Sequence, residues 1–208
     1  MKVITQWFTA IALSMLCVST LQAQEFEEGT HYTVISDKPM RRGKIEVVEV
    51  FSYSCGHCYN FEPLIKEYKK NLPEGVKFKQ EHIKWDGPTE NLARAFYTAK
   101  ALRSDAANDA MFNAIHIERK RVVEEKEIKK VFLEAGVEEK AFDKTYRSFG
   151  VNSKVNRLQD MMSDYQIDST PQLVVNGKYK IQPKNNVSQK QMLEIADYLI
   201  AKIKAGDL

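Results

Sequence analysis

The chain has 208 residues, of which 43% are hydrophobic and 28% charged, with a formal charge of +3 at neutral pH. That balance supplies one proper core, or one domain carrying a large insertion, and excludes a disordered chain. It also excludes a nucleic-acid footprint: Arg119, Lys120 and Arg121 are flanked by Glu118, Glu124 and Glu125, the pattern of a solvated helix face.

At the N-terminus, Lys2 is followed by an apolar stretch from Trp7 to Val18 and then by STLQA, the layout of a secretory signal peptide over residues 1–23, cleaved after Ala23. An apolar stretch of about a dozen residues is too short to cross a bilayer, which takes ~20. Cys17 lies inside this segment behind Leu16, not behind the small residue of a lipid-attachment signal, and is expected to leave with it. The mature chain then keeps only Cys55 and Cys58, in a compartment where disulfides persist.

The next pattern, KIEVVEVFSY (residues 44–53), is rich in β-branched and aromatic residues and apolar on both parities, which predicts a central strand covered on both faces. Past the cysteines, Phe61, Leu64, Ile65, Tyr68 and Leu72 recur at helical spacing until LPEG, and VKFKQEHI reads as a second strand. Cys55 therefore falls where a strand hands over to a helix N-terminus. From Pro88 to Tyr165 the apolar stripes are helical throughout: Leu92, Phe96 and Ala99; Met111, Phe112 and Ile115; Ile128, Val131, Phe132 and Ala135; then Val155, Leu158, Met162 and Tyr165. PQLVV, the turn Asn176-Gly177 and KYKI predict a β-hairpin. A last helix follows, with Ser188 and Gln191 spaced as a capping box and Met192, Ile195, Ala196, Leu199, Ile200 and Ile203 on one face.

Three chemistries compete for the Cys55-Gly56-His57-Cys58 stretch. As a staple the pair is weak, because a bridge over two intervening residues removes little unfolded-state entropy. Zinc would need further ligands, yet His31, His82 and His116 are scattered without ligand spacing, and haem attachment needs histidine where Tyr59 stands. Redox chemistry is favoured. At a helix start the unpaired N–H groups and the dipole favour a thiolate on Cys55, and a protonated His57 adds to that preference. Stabilising the thiolate stabilises the reduced form and makes the disulfide a stronger oxidant. Cys55, at the exposed strand end, is the better nucleophile; Cys58 lies one turn inside the helix. Soft-metal binding, of copper for example, remains as a binding-module alternative, resting on ligand softness alone.

VVEVFSYSCGHCYNFEP, the helical insertion and STPQLVVNGKY together resemble the DsbA family of periplasmic thiol:disulfide interchange proteins, and the resemblance covers nearly all of the mature chain. It implies an α/β chain with a thioredoxin fold interrupted by an all-helical subdomain: residues 24–87 as the first part, 88–166 as the insert and 167–208 as the second part. It implies Cys55 as the attacking cysteine, Cys58 as its buried partner and a cis-proline at Pro171. The implied activity is a periplasmic oxidoreductase that introduces disulfides into reduced, unfolded exported proteins, as a monomer with no cofactor or metal, and is reoxidised by a membrane partner of the DsbB type. A reductase or isomerase is the alternative within the same chemistry.

Three positions depart from the best-known family pattern. Gly56-His57 stands in place of Pro-His and is the pair familiar from protein disulfide isomerase, which bears on oxidising strength. Thr170 precedes Pro171 where valine is frequent, which bears on substrate preference. Glu49 matches a buried acid of the thioredoxin class that can shuttle protons, but the neighbouring strand offers Gln80 where the family example has lysine. His82 reads as a structural histidine.

Overall fold

The computed structural model describes residues 25–36, 45–184 and 186–208. The expected signal peptide, its cleavage site and Cys17 lie outside the described residues. The elements in chain order are β1 (Thr33–Val34), β2 (Ile45–Phe51), α1 (Gly56–Lys70), β3 (Val76–His82), α2 (Gly87–Leu102), α3 (Asp105–His116), α4 (Glu125–Glu134), α5 (Glu139–Tyr146), α6 (Phe149–Asn156), α7 (Leu158–Asp164), β4 (Gln172–Val175), β5 (Tyr179–Ile181) and α8 (Gln189–Ala205).

The sheet runs β1-β5-β4-β2-β3, with β2 and β3 parallel and the other pairings antiparallel. β2 is central, as its unbroken apolar run requires, and its side chains are divided among three cores. Val47 packs with α1 and α8, Val48 and Val50 pack with Ile83 and Met162, and Phe51 packs into the helical insert. The β4–β5 turn closes through Asn176 and Gly177 at φ of 53° and 69°. Both are left-handed, the geometry that suits a two-residue turn to the strand twist and that glycine adopts without strain.

Six helices, α2 to α7, lie between β3 and β4 with no strand among them. α2 starts on a capping box from Asp86 and Thr89, and α8 on the expected box from Ser188 and Gln191. Each box satisfies orphan N–H groups of a first turn. The fold is thus a thioredoxin-type sheet carrying a helical insert.

Four details differ from the sequence reading. β1 carries no apolar run, being a two-residue edge strand held by pairing to β5. Leu64, on the expected core stripe of α1, is 38% exposed, because the helix turns Phe61 and Ile65 inward. Leu72 lies beyond the helix end at Lys70. Arg119, Lys120 and Arg121 form an exposed loop between α3 and α4, not a helix face. Lys120 is tied there to Glu118 and Glu134, which keeps the run solvated and paired.

Candidate active site

The site grows from the end of β2. Cys55 is the N-cap of α1, in an extended conformation, and its sulfur accepts from the Cys58 N–H at 3.4 Å. Gly56 is the first helical residue. Cys55 is half-buried and Cys58 is buried, both as free thiols. Across the site, 115 residues further on in the chain, the Thr170 carbonyl oxygen lies 3.4 Å from the Cys55 sulfur, and the Thr170–Pro171 peptide is cis. The structure therefore brings together Cys55, Cys58, Thr170 and Pro171.

This arrangement sets the two sulfurs apart. Cys55 falls from an ordinary value near 9 to about 5, chiefly because the Cys58 thiol donates to it, with the Thr170 side chain and the backbone N–H groups of Cys58 and His57 adding to the effect against the opposing cost of burial. Cys58 moves the other way, pushed well above the thiol range by burial and by the neighbouring Cys55 sulfur. His57 acts here through its backbone: its N–H supports the Cys55 thiolate, its carbonyl accepts from Gln189 Nε2 at 2.6 Å, and its imidazole is exposed.

The N–H groups aimed at the Cys55 sulfur belong to residues 57 and 58, so the N–H of Gly56 is not needed, and a Cβ at Gly56 would meet nothing within 4 Å. Proline suits this first helical position. Gly56→Pro is therefore expected to hold the first turn more firmly, lower the Cys55 pKa further and make the disulfide more oxidising by tens of millivolts, where ~30 mV corresponds to about 1.4 kcal/mol. Thiolate absorbance against pH and the equilibrium with glutathione check this; an unchanged or more reducing variant contradicts it.

Beneath Cys58 lies Glu49, 1% exposed, in register with Gln80 across the β2–β3 pairing. Gln80 Nε2 donates to Glu49 Oε2 at 2.9 Å, so Gln80 occupies the partner position expected of it. Burial, then the charge of Glu62, pushes the Glu49 carboxyl up to about 8, against the opposing Gln80 hydrogen bond and the charge of Lys69. A carboxyl held in that range exchanges protons near neutral pH.

Several residues around the site were not singled out from the sequence. Tyr53 is gripped at three points: its N–H donates to His82 Nε2 at 3.0 Å, its carbonyl accepts from His116 Nε2 at 2.7 Å, and its hydroxyl donates to Asn108 Oδ1 at 2.6 Å. His116 also stacks on Tyr59 of α1. The insert thereby anchors the loop that presents Cys55. His82 is the structural histidine expected. Its Nδ1–H donates to the Ile83 carbonyl at 2.7 Å while Nε2 accepts, a pattern only the neutral ring allows, and burial holds its pKa down to about 4. Glu62 was legible in one respect: it follows Cys58 by four residues, which places both on one helix face.

The comparisons with known proteins agree with this geometry. The family model described as the DSBA-like thioredoxin domain matches residues 46–195. The thiol:disulfide interchange protein DsbA of Pseudomonas aeruginosa is 32% identical over 199 residues, 94% of each chain. That of Azotobacter vinelandii is 36% identical over 165 residues, 79% of this chain and 77% of the relative. The crystal structure of Pseudomonas aeruginosa DsbA superposes with a TM-score of 0.82 at 32% identity, covering 88% of this chain and 96% of that one. A Proteus mirabilis DsbA variant, solved with a non-covalently bound peptide PWATCDS, superposes with a TM-score of 0.73 at 31% identity, covering 86% and 100%. With a redox cysteine pair on the first turn of α1, a family match running from β2 into α8 and relatives of one name over most of its length, the chain belongs to the DSBA-like thioredoxin domain family and is a thiol:disulfide oxidoreductase.

Proposed function

We propose that the protein is a dithiol oxidase of the periplasm, reached through the signal peptide at residues 1–23, and that as a monomer it passes the Cys55–Cys58 disulfide to reduced, unfolded exported proteins. A client thiolate attacks the Cys55 sulfur, the S–S bond breaks, and its electron pair leaves on Cys58, which takes up a proton that the buried Glu49 is placed to give. A second client thiolate then attacks the client sulfur of the mixed disulfide and expels Cys55 as a thiolate. The client loses two electrons and gains a disulfide, and the protein is left as the dithiol for a membrane oxidase of the DsbB type to restore. The Thr170–Pro171 segment, against the Cys55 sulfur, is the surface along which an extended client segment would lie. The peptide-bound Proteus mirabilis relative supports peptide recognition as part of this function.

The observation that carries the reading is the opposed ionisation of the two sulfurs, with Cys55 held down to about 5 and Cys58 pushed up. As a nucleophile, Cys55 gains little: near neutral pH it has roughly a hundredfold more thiolate than an ordinary cysteine, but with a Brønsted slope of ~0.4–0.5 over four pKa units it loses almost as much reactivity. As a leaving group it gains outright, because a thiol of low pKa departs faster. The advantage falls on the step that releases an oxidised client. Soft-metal binding would need both sulfurs as thiolates, which the upward push on Cys58 opposes.

The Gly56-His57 pair keeps an isomerase or reductase as the second reading, and the redox equilibrium of the mature protein with glutathione separates the oxidase from a reductase. An oxidase is expected at ~−180 mV or above, and a value near the ~−270 mV of thioredoxin overturns the proposal.

A further inference from the structure

The peptide between His57 and Cys58 is held at both ends. Its N–H donates to the Cys55 sulfur at 3.4 Å, and its carbonyl oxygen accepts from Gln189 Nε2 at 2.6 Å. A carbonyl oxygen can only accept, so the Gln189 amide has to turn its NH2 group to this contact. The same oxygen has a second lone pair for the ordinary α-helical bond within α1, and the two do not compete. A chain of hydrogen bonds therefore runs from α8, through one peptide of α1, to the sulfur.

The donor stands on a rigid base. Gln189 is the first residue of α8 and is half-buried. The turn it belongs to is closed by Ser188 Oγ, which accepts from the Gln191 N–H at 3.2 Å, and by Gln191 Oε1, which accepts from the Ser188 N–H at 3.0 Å. Behind it Met192, Ile195, Ala196 and Leu199 are buried in the core that also takes Phe61 and Ile65 of α1. Packing fixes the two helices to each other, and the Gln189 side chain bridges their first turns. No formal charge enters the contact: Lys190 pairs with Glu194 at 3.6 Å on the solvent side of α8, and the His57 imidazole is exposed.

Hydrogen bonds in series through one peptide polarise each other, so a donor on the carbonyl makes the N–H at the other end a stronger donor. The donor also fixes the tilt of the peptide plane and keeps that N–H aimed at the sulfur. Of the two backbone N–H groups that support the Cys55 thiolate, the one at Cys58 has the larger effect, and it belongs to the peptide that Gln189 holds. In the disulfide the sulfur carries no charge and gains less from the same N–H. The contact thus favours the dithiol over the disulfide.

We propose that Gln189 is a positioning residue for the Cys55 thiolate: by donating to the His57 carbonyl it clamps and polarises the peptide whose N–H faces the sulfur, and so makes the disulfide more oxidising. No bond is made or broken at Gln189, and no proton passes through it. The inference rests on the reading of Cys55 as the sulfur held ionised at the helix start.

The test titrates Cys55 by thiolate absorbance against pH, and measures the equilibrium with glutathione, for the wild type, Gln189→Met and Gln189→Glu. Methionine keeps an unbranched side chain of similar length without a donor; glutamate keeps the shape but sets an acceptor against the carbonyl. Gln189→Met is expected to raise the Cys55 pKa by about half a unit, toward the lower end of what one hydrogen bond contributes. At neutral pH its glutathione equilibrium should move toward the disulfide by the same factor, about threefold or ~15 mV. Gln189→Glu, compared at neutral pH where the new carboxyl is ionised, should move that equilibrium at least as far in the same direction. Urea unfolding of both redox forms separates positioning from support of the fold, because a residue that only supports the fold lowers the two stabilities alike and leaves the Cys55 pKa and the equilibrium where they were. That result, or a Gln189→Glu variant with a more oxidising disulfide, overturns the proposal. A wild-type Cys55 that titrates near the ordinary 9 overturns instead the ionised-sulfur reading on which it rests.

Discussion

Replacing Cys58 by serine should turn the protein into a trap. Loaded at Cys55 with a peptide containing a single cysteine, the wild type expels the peptide by internal attack of Cys58, whereas Cys58→Ser has no internal thiol and retains it. The mixed disulfide should then live longer by on the order of a hundredfold or more, since a group held in the same molecule attacks at an effective concentration far above that of any free thiol present. Cys55→Ser should capture none, because its remaining thiol is buried at 1% exposure and pushed toward the protonated form. Mass spectrometry of the intact adduct, timed after loading, reads the outcome. Equal lifetimes for wild type and Cys58→Ser, or capture by Cys55→Ser, would reverse the roles assigned to the two sulfurs.

The stability of the dithiol form should rise relative to the disulfide form as pH increases from 5 to 9. Cys55 is an acid whose folded pKa of about 5 lies below its ordinary value near 9, so its contribution is fully present above pH 9, shrinks as pH falls, and is gone below pH 5. Four pKa units at about 1.4 kcal/mol each set an upper bound, and because the sulfur is half-exposed, screening by solvent reduces the expected difference to roughly 2–3 kcal/mol. Glu49 works in the opposite sense: its folded pKa of about 8 lies above the ordinary 4.5, so its contribution is present below pH 4.5 and lost as pH rises through 8. Since both redox forms contain Glu49, subtracting their stabilities largely removes it and isolates Cys55. Urea unfolding of the two forms at pH 5, 7 and 9 supplies the measurement. A difference that is flat or falls with pH would show that the helix start does not favour the thiolate.

The features legible in the residues alone are those decided within a few positions of the chain. The apolar run of β2 requires burial on both faces, Asn176-Gly177 requires a tight hairpin, and Ser188 with Gln191 closes the first turn of α8; each rests on local sterics or hydrogen bonding. The same locality placed Cys55 at a helix N-cap and Cys58 one turn inside it. Packing over long separations decided the rest. The Thr170 carbonyl meets Cys55 across 115 residues, Gln80 reaches Glu49 only through the parallel register of β2 and β3, and Tyr53 is held by two histidines from different elements. No local pattern encodes such meetings, because a side chain's periodicity specifies the face it occupies and not the group that will stand opposite. Glu62 shows the division most clearly: helical spacing put it on the face of Cys58, but its burial and the amide it shares with Glu49 exist only once α1 is laid against β3 and the insert closes over both. That enclosure, by taking both carboxyls out of water, is what pushes each above its ordinary range.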